Sequence, residues 1–284
     1  MHLRKSAKPR ALPQTLKRCV YLALMNNDRA LWLFFVTFVS SLALFTANLA
    51  YANTEQGNAA LKVVSAPGLD PEPGNGFLVL VEFNLGAIPQ AGKKQLLVSK
   101  YHAKENPYPG WAMSLNNFGT SIRPEIYWRG KNGSGGAFTF DRIEVKTDRW
   151  YSLILRVSDG AVMQVFLIPR EYSSTDPESI ATETVVQALY LGGYDVRSVR
   201  IPQTNADLVF RGTDDGERKF PSQVRRLLIA RASDLPQTPD EFRAALIRDT
   251  ADLRELLRSE EIELQIEPDG RDHSSKQHQV EPLA

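Results

Sequence analysis

From Phe77 onward short apolar runs alternate with turn residues: "FLVLVEFN", "KQLLVSKY", "WAMSLNN", "PEIYWRG", "GAFTFDRIEV", "WYSLILRV", "AVMQVFLI", "VVQALYLGG", "ADLVF" and "QVRRLLIA". Strand-length runs with no helical repeat between them predict an antiparallel β-sandwich and argue against a parallel sheet with crossover helices. In "WYSLILRV" the residues Tyr151, Leu153, Leu155 and Val157 share one face and Ser152 and Arg156 the other, the period-two pattern of a half-buried strand. "AVMQVFLI" is apolar on both faces apart from Gln164, so it belongs inside a sheet covered on both sides.

Only after Ala232 does the period change. In "QTPDEFRAALIRDTADLRELLRSEE" Thr238 can cap a helix, Pro239 suits its first turn and Glu241 completes a capping box. Phe242, Leu246, Leu253, Leu256 and Leu257 form one stripe, which predicts an amphipathic helix over 237–262 packed on the sandwich. The flanks read differently: 53–76 is polar and rich in Gly and Pro, an exposed leader, and 263–284 has too little apolar surface to order itself. His273 and His278 in that tail are too isolated to form a metal site.

Further upstream, "LWLFFVTFVSSLALF" follows a basic segment and precedes Ala50-Tyr51-Ala52, the small residues of a signal-peptidase site. Residues 1–52 therefore read as an export signal cut after Ala52, with 77–236 as the sandwich; retention of 30–49 as an anchor is the alternative. Composition changes little: 284 residues, 43% hydrophobic and 24% charged, suit one large all-β domain. The net charge of +1 hides an asymmetry, since residues 53–284 carry 27 bases against 32 acids. That balance excludes a broad basic field for nucleic acid. Cys19 is the single cysteine, so the rest of the chain has no disulfide, thiol nucleophile or zinc–thiolate site.

Taken in order, "FLVLVEFN", "QLLVSKY", "WAMSLNN", "RWYSLILRVSDGAVMQVFLIP", "ALYLGG" and "QVRRLLIARASDLPQTPDEFRAAL" resemble the strands, Gly turn and closing helix of the LamG-like, concanavalin A-like lectin/glucanase domains, over Phe77 to Leu246. The chain departs from them at Phe166-Leu167-Ile168-Pro169, where many relatives have Tyr-x-Asp-Gly, and in the inserted "GTDDGERKFPS". The resemblance implies an all-β antiparallel jelly-roll β-sandwich with a C-terminal amphipathic α-helix. It further implies a module that binds a glycan or an envelope or extracellular protein; with the signal segment, the only expected membrane contact, this reads as periplasmic or secreted, and the absence of paired strand acids reads as non-catalytic. Two alternatives stand beside it: a carbohydrate-active enzyme on the same fold, and an interaction subunit docking through the helix.

Glycoside hydrolysis needs two placed carboxylates. The strands lack the alternating acids of the glucanase relatives; Asp141 and Glu144 come nearest, on opposite faces. Nor is there a His-Glu-x-x-His or a phosphate-binding Gly-Lys-Ser/Thr, and "GKNGSGGAF" lies between strands with no helix behind it. Sugar binding calls for exposed aromatic planes with a few polar groups. The loop "YHAKENPYPGW" offers Tyr101, His102 and Tyr108, and the neighbouring "PEIYWRG" offers Tyr127 and Trp128. Against this, Trp111, Met113 and Leu115 share an inward face, as do Ile126 and Trp128, and Trp150 opens the central strand as a core residue. Asp195 in "LGGYDVR" is a further ligand candidate at the sandwich rim, and Asp214, Asp215 and Glu217 are hard oxygen donors suited to calcium.

Overall fold

The structure is a computed structural model that describes residues 60–64, 67–72, 75–101, 108–147, 149–158, 161–170, 188–210, 223–231, 235–236, 238–248, 257–267 and 270–282. The expected export signal, the inserted loop with Asp214, Asp215 and Glu217, and 249–256 of the expected helix lie outside these residues; the end of that helix is corrected, since Ser259–Glu261 form a 3-10 turn and Ile262 opens a strand.

The strands are β1 Leu61–Val63, β2 Phe77–Asn84, β3 Lys94–Tyr101, β4 Gly110–Asn117, β5 Ile122–Arg129, β6 Gly135–Thr139, β7 Trp150–Val157, β8 Val162–Arg170, β9 Leu189–Asp195, β10 Leu208–Phe210, β11 Gln223–Ala230, β12 Ile262–Ile266 and β13 Val280–Pro282. A single α-helix among the described residues, α1, spans Pro239–Arg248, and two short 3-10 turns lie at Pro67–Leu69 and Ser259–Glu261. Two antiparallel sheets, ordered β13-β1-β10-β3-β4-β5-β6 and β12-β11-β2-β7-β8-β9, make a β-sandwich of jelly-roll type.

Alternation decides what lies between the sheets. Trp111, Met113, Leu115, Ile126 and Trp128 of the seven-stranded sheet meet Val79, Val81, Phe83, Leu153 and Leu155 of the six-stranded one in a single core. The Phe77 ring stands edge-on to Trp111 at 5.4 Å and to Trp128 at 6.2 Å, a favoured arrangement for aromatic quadrupoles.

A second apolar cluster covers the outer face of the six-stranded sheet. Leu78, Leu80, Ile154, Phe166 and Ile168 project there, and Phe242, Leu246 and Leu257 pack on them. The Thr238 hydroxyl accepts the Glu241 N–H at 3.2 Å, and the Glu241 carboxylate returns to the Thr238 N–H at 3.4 Å, so the capping box is formed. This cover corrects the half-buried reading of β7: Ser152, Ile154 and Arg156 are all buried too. Arg156 is tolerated because its guanidinium lies 4.7 Å above the Phe242 ring and donates to the Leu235 carbonyl at 3.3 Å.

The flanks also depart from expectation. The leader contributes β1, which pairs with β10 and β13, so order precedes Phe77. The predicted disordered tail supplies β12 on β11 and β13 on β1. Ile262, Leu264 and Ile266 are buried in the cores, and Asp272 organises the intervening turn by accepting the N–H groups of Gln265, Ser274 and His278. Composition averaged over the tail hides a strand whose hydrogen bonds come from a distant partner.

Candidate functional site

Across the outer face of the seven-stranded sheet, register fixes three rows. Tyr101, Gly110, Arg129 and Gly135 form the first, Ser99, Ala112, Tyr127 and Ala137 the second, and Ser114, Glu125 and Thr139 the third. The floor is made of Gly110, Ala112, Ser99 and Ser114, small residues shaded by taller neighbours, while Tyr101, Tyr127 and Arg129 rise half-exposed around it.

The two tyrosine rings meet diagonally across this floor, with centroids 5.8 Å apart and planes at 55°. The Tyr127 hydroxyl donates to the Tyr108 carbonyl at 2.8 Å. That bond helps hold Tyr108 at φ 56, in the left-handed region that side-chain-bearing residues rarely enter, and the residue is 46% exposed. Burial pushes the Tyr127 phenol above its ordinary pKa, with Arg129 opposing, so it remains a neutral donor at physiological pH.

Gly110 keeps the floor low. Its φ of 138 suits glycine alone, and a Cβ there would stand 2.2 Å from the Lys100 carbonyl oxygen and 2.6 Å from the Tyr101 Cα. Gly110→Ala should therefore cost about 1–3 kcal/mol in backbone strain alone. With the β3–β4 clash added, the thermal midpoint is expected to fall by several degrees; an unchanged midpoint in a calorimetric scan would show that this backbone is not constrained as described.

Tyr101, Tyr108 and Tyr127 thus come together as the aromatic pattern anticipated. Trp128 does not join them: it is 3% exposed, turned into the core, and its indole N–H donates to the Val199 carbonyl at 3.4 Å. The physical reason is alternation, which puts adjacent residues of β5 on opposite faces. Trp111 is core, whereas Trp150 is half-buried with the Arg225 guanidinium 4.7 Å above its ring, a correction to its reading as core. Asp195 sits at the same end of the sandwich, but Arg197 holds its carboxylate through Nε at 2.9 and 3.1 Å and keeps its pKa below the ordinary carboxylate range. It is an ion-paired rim residue instead of an open ligand. His102 and the proposed calcium donors Asp214, Asp215 and Glu217 fall outside the described residues.

Sequence reasoning missed Glu125 and Arg129, although both share a face with Tyr127 by simple alternation. Glu125 is 6% exposed, ion-paired with Lys94 and bonded by the Asn116 amide at 3.3 Å.

No family model and no curated protein matches the chain. Similarity to solved structures is distant. The enzymatically active domain of tailspike protein 2 of bacteriophage CBA120 is 7% identical over 70% of this chain and 27% of that one, with a TM-score of 0.45. The CBM40 of the Ruminococcus gnavus IT-sialidase, solved with α2,3 sialyllactose, is 13% identical over 60% and 82%, with a TM-score of 0.40. An alginate lyase of Pseudomonas aeruginosa is 11% identical over 52% and 64%, with a TM-score of 0.25. The chain spans about a quarter of the tailspike domain's length, and none of these likenesses transfers a ligand.

Proposed function

We propose that this chain is an exported, LamG-like glycan-binding module that does not catalyse, with its ligand lying across Tyr101 and Tyr127 beside Tyr108. The observation that carries the reading is the tyrosine pair standing over a floor of small residues, on the face turned away from the core. An aromatic ring offers the apolar C–H face of a sugar a flat, low-entropy contact, and the flanking tyrosine hydroxyl and guanidinium offer directional bonds. The order of sequence motifs supports the LamG-like assignment: the strands named for it are strands here, in the same succession.

A non-catalytic role is supported by the engagement of Glu125, which is committed to Lys94 and Asn116 instead of facing a second acid across the floor. Docking through the helix loses its basis in the described residues, because Phe242, Leu246 and Leu257 are buried on the sheet.

A glycan array run with and without calcium tests this reading. Binding is expected on a subset of glycans, and Tyr101→Ala with Tyr127→Ala should weaken it about 30-fold, the loss of an aromatic anchor of about 2 kcal/mol. Calcium dependence would implicate Asp214, Asp215 and Glu217; turnover of any bound glycan would replace the module with an enzyme.

A further inference from the structure

Arg129 ends β5 on the face that carries Tyr127. Its cross-strand neighbours on this face are Gly110 and Gly135, which set no side chain of their own against the guanidinium; Tyr101 lies beyond Gly110, and the Val199 side chain comes close to Gly135. Its Nε is buried, while the residue as a whole is half-exposed and its charge acts on the neighbouring Tyr127 phenol. A planar guanidinium fork, half-exposed beside a tyrosine pair, matches a carboxylate or sulfate well.

The surroundings have the same sign. The β5–β6 turn and the segment after β9 meet here, the Arg200 carbonyl lying 2.9 Å from where a Cβ on Gly130 would stand. Between them they bring exposed Lys131, Arg197 and Arg200 against Asp195, which Arg197 already neutralises.

We infer that the glycan is acidic, with an anionic group on the sugar, carboxylate or sulfate, accepting from the Arg129 guanidinium while the ring lies on the tyrosine pair. This rests on the glycan reading above and names the ligand class of the same site. The geometry joins two demands in one ligand: an apolar sugar face for Tyr101 and Tyr127, and an anionic acceptor one residue row away for the half-exposed Arg129 side chain.

Affinity electrophoresis of the purified protein separates the possibilities, using polygalacturonate, the same polymer with its carboxyl groups reduced to alcohols, dextran sulfate and neutral dextran. Retardation is expected with polygalacturonate or dextran sulfate and at least about 10-fold weaker with the matching neutral polymer. Arg129→Gln should lose about 10–100-fold, Arg129→Lys should keep part of the affinity because charge survives without the fork, and Lys131→Gln should change little. Arg129→Gln is checked for an unchanged melting curve. Equal loss in Arg129→Gln and Lys131→Gln would mean bulk electrostatics and overturn the inference. Equal binding of charged and neutral polymers would overturn it while leaving the glycan reading in place, and failure of all four polymers together with an empty array would remove both.

Discussion

Replacing Glu82 by leucine is expected to destabilise the fold by about 3–5 kcal/mol, because it removes one member of a buried ionic cluster and leaves the others uncompensated. Glu82 is fully buried on the outer face of the six-stranded sheet. Arg225 donates to it through Nε at 2.9 Å, Arg226 stands at 3.4 Å and Arg170 at 3.6 Å, while the Ser152 hydroxyl lies 3.4 Å away and accepts from Arg170 Nε at 2.8 Å. Two successive arginines reach one carboxylate because β11 bulges between Val224 and Arg226, adding a residue opposite β2.

The cluster also predicts a pH dependence. Burial alone would raise the Glu82 pKa, but Arg226, Arg170 and Arg225 together outweigh it and hold the carboxyl below its ordinary value. The unfolded chain therefore binds this proton more readily than the folded one. The stabilisation is fully present above the unfolded carboxylate pKa of about 4.3 and is lost as pH falls through the lowered folded value. Urea unfolding at neutral pH and in steps below pH 5 should show Glu82→Gln destabilised at neutral pH, with the gap to wild type narrowing in acid. A gap that is absent at neutral pH, or that widens in acid, contradicts this account.

The second large effect belongs to Lys100 and Asp70, both buried with side chains fully excluded from solvent. Lys100 Nζ donates to Asp70 Oδ2 at 2.5 Å and to the Thr204 carbonyl and hydroxyl at 2.9 and 3.0 Å, and the Thr204 N–H donates to the same carboxylate oxygen at 2.7 Å. Burial pushes Lys100 down and Asp70 up, while their mutual attraction opposes both shifts. The triad ties together the segment before β2, strand β3 and the segment before β10. Asp70→Ala leaves an ammonium in the core and is expected to cost about 3–5 kcal/mol, whereas adding Lys100→Met removes the orphaned charge and should recover a large part. A double-mutant cycle by urea unfolding checks this: coupling of about 2 kcal/mol or more is expected, and strictly additive losses would deny the pair its role.

Much of this fold was legible because its long strands carry their own pattern. Phe77–Asn84, Lys94–Tyr101, Trp150–Val157 and Gln223–Ala230 have the limits that the apolar runs suggest. What escaped has a common cause in pairing at long range. The three-residue β1 and β13 are too short for any periodicity and exist because each finds the other's edge. Strand β7 looked half-buried because nothing in its own residues announces that α1 will pack on Ile154 and Arg156 or that Glu82 and Arg170 will close over Ser152.

The site divides in the same way. Tyr101, Tyr108 and Tyr127 were visible as aromatic residues near turns, but the pairing of Tyr101 with Tyr127 depends on register between β3, β4 and β5. Trp128 was drawn in by adjacency and excluded by alternation. Arg129 gains its meaning only when Gly110 and Gly135 are seen to flank it, and Glu82 only when three arginines from β8 and β11 converge on it.

The central claim is that the outer face of the seven-stranded sheet binds a glycan through its tyrosine pair. Calorimetric titration of the strongest array glycan into wild-type protein and into the Tyr101→Ala, Tyr127→Ala double variant, both shown to be folded, tests it most directly. The account predicts saturable binding by the wild type and a loss of about 30-fold or more in the variant. Undiminished binding by the folded double variant would contradict it.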